Sequence, residues 1–197
     1  MDADTDLRAA SAARAVLDGA AVDVDAAIAQ LGDGPRPSTA RVRRHLEAMR
    51  QADFGLGAWW RERLAALEAV VELVRTIQFV APGATVLLTG RTAQGHVDDL
   101  GPATARVLGV DAPALLDALE AHGLQPPEVS SLTTVLGAMP VAHVQTSATG
   151  QLNLLILPDV PEARAKHRLT DETPVSVLDV ERFCAIVDAA RESTPEA

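Results

Sequence analysis

The sequence predicts an α/β protein of the α+β kind, with a helical N-terminal half packed on a small mixed-sheet unit. Three observations lead there. Trp60, Leu64, Leu67, Val71, Val74 and Ile77 recur at spacings of three and four, the period of one buried helix face. Thr85-Val86-Leu87-Leu88-Thr89 is a short apolar run between Gly83 and Gly90, which marks a buried strand. Downstream, strand-like and helix-like segments alternate, a compact mixed arrangement.

The elements follow in order. Residues 1–34 hold seven Asp and two Arg. They predict an Ala-rich helix over 6–18 and a second over 24–31, capped by Asp23 and closed by Gly32. Gly32-Asp33-Gly34-Pro35-Arg36-Pro37 reads as a linker. A helix starts at Ser38 or Thr39 and runs to Asp53. Phe54-Gly55-Leu56-Gly57 interrupts it, and the long helix follows over 58–79. Ala81-Pro82-Gly83 stops that helix before the strand 85–89. Residues 104–108 predict a second strand. A helix over 111–122 has Asp111 as its cap, Pro113 in its first turn and Gly123 past its end. Pro126-Pro127 is a loop. Strands over 140–146 and 151–157 are joined by the turn Ser147-Ala148-Thr149-Gly150. A short helix over 161–168, the polar loop 170–174 and a helix over 177–190 follow. Residues 192–197 should fray. The domain organisation expected is an acidic, helical or partly mobile segment and linker over 1–37, a two-helix segment over 38–80 and a small α/β domain over 81–192.

Composition narrows the function classes. The formal net charge is −10, aromatics are 3% and tyrosine is absent. Negative charge disfavours polyanion binding, and readers of single-stranded bases need aromatic platforms, so nucleic acid is not an expected partner. The lone Cys184 makes no intrachain disulfide and reads as a small buried residue. The acidic start, Met1-Asp2-Ala3-Asp4-Thr5-Asp6, is unlike a secretory leader. No run of about 18 uncharged apolar residues suits a membrane span. The expected location is the cytoplasm. Five scattered histidines form no zinc-binding pair, and no phosphate-loop, dinucleotide or nucleophile-elbow motif occurs.

The segment richest in chemistry is Val86-Leu87-Leu88-Thr89-Gly90-Arg91-Thr92-Ala93-Gln94-Gly95-His96-Val97-Asp98-Asp99-Leu100. A strand ending in a glycine turn, then a polar stretch, then acidic residues, resembles the nucleotidyltransferase superfamily. The resemblance implies that the turn at Gly90, Arg91 and Thr92 holds nucleotide phosphates, because glycine lets backbone approach phosphate. It also implies a pair of carboxylates, spaced i and i+2, about a dozen residues past the turn. On a strand such a pair shares a face and can hold a hard divalent cation for phosphoryl transfer. This sequence departs from that pattern. Arg91 stands where Ser or Gly is expected, Asp98 and Asp99 are adjacent, and the later strand offers Asn153 where a third carboxylate belongs. The chain also resembles small bacterial proteins of similar length that share the long helix, a leucine-polar-glycine turn and a terminal helix.

Two further stretches carry charge or rhythm. Residues 36–63 hold seven arginines against three carboxylates. Arg41, Arg44 and His45 share one helix face and call for an anion, supplied by the acidic N-terminal segment, a partner or a phosphate. Residues 105–124 have a rhythm that resembles helix-turn-helix DNA-binding domains. The segment that would read DNA carries Asp117 and Glu120 instead of basic residues.

The reading is therefore a nucleotidyltransferase-like protein without that family's chemistry, acting in nucleotide or partner binding and regulation. One alternative is a protein-interaction module that homodimerises through the helices bearing Trp59 and Trp60. The other is an active transferase using Asp98 and Asp99 at an atypical site. No cofactor is expected, and Mg²⁺ only in the active case.

Overall fold

A computed structural model describes residues 3–97, 102–125, 127–146, 150–171 and 173–192. Asp98, Asp99, the 147–149 turn, Pro126 and the C-terminal 193–197 lie outside the described residues. The chain divides into two compact units, Met1–Arg61 and Glu62–Thr194.

The first unit is helical. It comprises α1 (Ala3–Leu17), α2 (Val24–Ala29), α3 (Thr39–Phe54) and the start of α4 (Leu56–Val80). Asp23 caps α2 by accepting from the Ala26 N–H at 2.7 Å, and Ser38 caps α3 by accepting from the Arg41 N–H at 3.3 Å. Small residues let α1 lie close: Ala9, Ala12 and Ala13 are buried, as are Val42 and Leu46 on α3. Arg8 donates to the carbonyls of Leu31 and Gly32, tying the turn after α2 to α1.

The second unit is built on a six-stranded mixed sheet. Its strands are β1 (Thr85–Thr89), β2 (Ala103–Leu108), β3 (Glu128–Thr134), β4 (Gly137–Thr146), β5 (Gly150–Leu157) and β6 (Val177–Asp179). Their order is β3-β4-β5-β2-β1-β6. Only β2 and β5 run parallel; every other neighbouring pair is antiparallel. Helix α5 (Ala112–Ala121), β3 and β4 make up the crossover between that parallel pair. Asp111 caps α5 through the Ala114 N–H, as its sequence position suggests. The strand β2 immediately before it rules out a helix-turn-helix there.

One face of the sheet is aliphatic. Val86, Leu88, Ala105, Val107, Leu152, Leu154 and Ile156 meet Leu67, Val74 and Ile77 of α4, Leu115 and Leu119 of α5, and Phe183 of α7 (Val180–Glu192). Burying one such side chain contributes about 1.5–3 kcal/mol. The opposite face carries a smaller cluster, in which Leu87, Leu108 and Leu157 lie under Ala163 and Leu169. Strands covered on both faces read as continuous apolar runs, which is why β1 and β5 stand out in the sequence.

α1 and β4 each start three residues earlier than expected and α4 two residues earlier, and three further elements differ from expectation. Strand β3 was not predicted: Glu128–Thr133 is exposed throughout and sets one apolar residue, Val129 or Leu132, on each face, so it shows no buried period. The helix expected over 161–168 is only α6 (Pro161–Arg164), after which Ala165 is extended. The last helix starts three residues later than expected, because Val177–Asp179 pairs with β1 and Asp179 caps α7 through the Arg182 N–H at 2.8 Å.

Candidate functional site

The site forms where β1 leaves the sheet. Gly90 has φ +61°, and its N–H donates to the Ser176 carbonyl at 2.9 Å. A side chain at this φ is strained, so glycine suits the turn whatever the surrounding space. A short 3-10 turn follows, Thr92–Gln94, closed by Gly95 at φ +72°. Arg63 on α4 holds this turn from behind: its guanidinium donates to the Gly95 carbonyl at 2.8 and 3.2 Å and to His96 Nδ1 at 3.2 Å. Gln94 donates to the Ser176 hydroxyl at 2.9 Å.

An open cavity of about 790 Å³ lies against this turn. Gly90, Arg91 and Gln94 line it from one side, and Lys166, Arg168 and Ser176 from the other. Three of these are cations, and no carboxylate is among the described residues lining it. In a chain of net charge −10, that local excess suits an anion. Arg168 has a long contact with Asp171, 3.7 Å, with both side chains well exposed.

Lys166 and Arg168 reach the cavity because of Arg106. This residue is 4% exposed, on the middle of β2. Its guanidinium donates to the carbonyls of Ala163 at 2.9 Å and Ala165 at 2.7 Å, and to that of His167. Burial pushes its pKa below the usual arginine range. The backbone of 163–167 is thereby bound to the sheet. Val175 N–H donates back to the Lys166 carbonyl at 3.1 Å, and Arg168 N–H to the Thr173 carbonyl at 2.7 Å. These bonds turn the segment into a flap that runs toward the Gly90 turn.

Each residue expected at the site can be located. Gly90 and Arg91 line the cavity. Thr92 is 2% exposed, and its hydroxyl accepts from the Thr104 N–H at 2.9 Å, so it holds the turn to β2. Asp98 and Asp99 lie outside the described residues. Arg41 and His45 belong to the first unit, where Asp6 lies 4.0 Å from Arg41 and 3.1 Å from His45 Nε2. The acidic N-terminal segment therefore supplies an anion to that face. Arg44, next to His45 on α3, is exposed.

The strand after the turn is β2. On the face shared with Thr89, β2 presents Thr104 and Arg106. Thr104 donates to the Thr89 carbonyl at 2.9 Å. Its register partner on β5 is Asn153, whose amide oxygen bonds His143 Nδ1 at 2.8 Å. A hydroxyl, a guanidinium and an engaged amide do not suit a hard divalent cation, which prefers carboxylate oxygens. Among the described residues, no group of three or more His, Cys, Asp or Glu is placed to hold a metal ion.

The fold and site thus define an α+β unit with a cavity at the β1 turn lined by three cationic side chains. No family model matches the chain, and no curated protein does. Several solved structures align in part. A cytoplasmic RNA terminal U-transferase gives a TM-score of 0.34 at 16% identity, over 49% of this chain and 28% of that one. Cid1, an RNA terminal uridylyl transferase, gives 0.32 at 18%, over 49% and 29%. Cid1 in complex with the UTP analog UMPNPP gives 0.33 at 19%, over 49% and 30%. The chain spans less than a third of the length of each of these proteins. Likeness at such scores carries no function across to this chain. Among the described residues, no helix is long and apolar enough to cross a membrane.

Proposed function

We propose that the chain is a nucleotidyltransferase-like protein that binds a nucleotide at the Gly90 turn and lacks metal-dependent transfer chemistry, serving a binding or regulatory role in the cytoplasm. The observation that carries this reading is the cavity lined by Arg91, Lys166 and Arg168, with no carboxylate among the described residues that line it. Phosphate oxygens match those cations, and a glycine turn admits them close to backbone. Thr104 and Arg106 in the i, i+2 positions support binding without a metal, since Arg106 already sets a fixed positive charge on that face.

Calorimetric titration with UTP and ATP, with Mg²⁺ and with EDTA, tests it. Binding should persist in EDTA. The double variant Lys166→Ala, Arg168→Ala should weaken it by about 10- to 100-fold, the loss of one or two charge-assisted contacts. No heat at millimolar nucleotide, with the protein folded, removes the proposal. An active transferase using Asp98 and Asp99 would instead show turnover that Asp98→Asn and Asp99→Asn abolish. The homodimer reading rests on Trp59 and Trp60, which stack edge-to-face at 4.9 Å and are both half-buried; light scattering decides it.

A further inference from the structure

The open face of the sheet carries a second constellation, on β3, β4 and β5. The Ser130 hydroxyl lies 2.7 Å from His143 Nε2, and His143 Nδ1 lies 2.8 Å from the Asn153 amide oxygen. An amide oxygen only accepts, so Nδ1 carries the proton. Nε2 of the neutral ring is then the acceptor, and it takes its bond from the Ser130 O–H. This is the geometry of a nucleophile, a general base and a group that fixes the base's tautomer. Ser130 is exposed on the edge strand, while His143 and Asn153 are half-buried on the two strands inside it. Glu128 is the register partner of His143 on β3. All of these residues stand on hydrogen-bonded strands. β4, β5 and β2 separate β3 from β1, roughly 19 Å at the usual strand spacing, so this is a site apart from the Gly90 cavity.

We propose that Ser130 is a base-activated nucleophile that reacts with activated acyl esters, with His143 as general base and Asn153 as the positioning residue. In the step, the Ser130 Oγ–acyl carbon bond forms and the bond from that carbon to the leaving oxygen breaks. The serine proton passes to His143 Nε2. That proton leaves Nε2 with the departing oxygen or to solvent; water then attacks the acyl carbon and passes a proton to the freed Nε2, the bond from that carbon to Ser130 Oγ breaks, and Oγ takes the proton back from Nε2.

The test treats the full chain with p-nitrophenyl acetate, follows nitrophenolate release and maps the acetyl group by peptide mass. Acetylation should fall on Ser130. His143→Gln should slow it by about 10²-fold or more, the usual contribution of a positioned base. Asn153→Asp should keep it, because aspartate also accepts from Nδ1–H, while Asn153→Leu should lose it. Ser130→Ala, at an exposed position that does not threaten folding, should abolish the adduct. Acetylation spread over Lys166 and other surface groups, or a Ser130 rate indifferent to His143→Gln, overturns the proposal and leaves a cross-strand hydrogen-bond ladder.

Discussion

Arg106→Met is the most informative single change. Methionine fills the volume of the arginine stem, so little cavity forms. What is lost is the guanidinium and its bonds to Ala163, Ala165 and His167. Bonds to a charged donor contribute about 1.5–3 kcal/mol each, and the cost of burying the charge offsets part of that sum. The Ala163 bond is buried, and its carbonyl left without a partner costs about 1–3 kcal/mol. The other two bonds are only partly buried, so water can replace them more cheaply. The net expectation is about 2–4 kcal/mol of lost stability. In urea, with a slope of about 1–3 kcal/mol per molar, the midpoint should fall by roughly 1–2 M. Nucleotide affinity should fall with it, because ordering the flap at binding costs about 1–2 kcal/mol per residue fixed. Arg106→Lys should restore little, since a compact ammonium lacks the two separated terminal nitrogens that reach the Ala163, Ala165 and His167 carbonyls. A midpoint unchanged within error, together with an unchanged dissociation constant, would refute the claim that Arg106 positions Lys166 and Arg168.

Other changes probe the remaining contacts. Gly95→Ala puts a Cβ at φ +72° and 3.1 Å from Ile186 Cγ2, so urea unfolding should show a loss of about 1–3 kcal/mol, and a neutral result would contradict the turn geometry. Arg164 holds the Asp159 carboxyl below the usual carboxylate range, chiefly by hydrogen bonding, at 2.7 and 2.8 Å. The folded-state pKa is depressed, so its contribution is present above an unfolded-state pKa of about 3.9 and disappears as pH falls through the depressed value. A carboxyl-detected NMR titration should find Asp159 low and Arg164→Gln returning it upward. Asp6→Asn removes the anion shared by His45 and Arg41; these groups are partly exposed, so the melting temperature should reflect less than about 1 kcal/mol.

The parts of the fold legible in the sequence are those whose residues answer to local rules. The spacing of Leu67, Val74 and Ile77 shows α4, the Asp111 cap shows α5, and two-sided burial shows β1 and β5. Strand β3 has no such signal, because an edge strand exposed on both faces needs no alternation. A weak cue existed in the β-branched residues around Leu136-Gly137, where Thr134 closes the β3–β4 turn by donating to the Gly137 carbonyl. Asp179 followed by a helical run was a visible cap, but the apolar Val177 and Leu178 blended into the helix behind it. Of the residues that line the cavity, Gly90 and Arg91 stand out in the sequence through the strand-turn pattern. Lys166 and Arg168 do not, because they are delivered by contacts that Arg106 makes across 57 to 61 residues of chain. Nothing local in Pro161–Arg168 marks it as a flap. Ser130 and His143 were missed for the same reason: their pairing depends on a strand that sequence pattern did not reveal.

Partial cover on this second sheet face explains why these polar residues tolerate their positions. A β-sheet flank covered only in part can carry polar side chains only if each finds a partner or water. Here Thr89 pairs with Thr104, His143 bridges Ser130 and Asn153, and Arg106 takes up backbone carbonyls. Each pairing holds its side chain in one orientation, and fixed donors recognise a ligand at a lower ordering cost than mobile ones. The same satisfaction works against a metal. A cation arriving between Thr104 and Asn153 would have to break the Thr89 and His143 bonds while lying near a guanidinium that cannot give up its proton. Restoring metal binding would therefore require Arg106 to be replaced together with Thr104 and Asn153. Replacing Arg106 also releases the flap that brings Lys166 and Arg168 to the cavity. On this face, the buried arginine sets metal coordination against the anion binding proposed for the cavity.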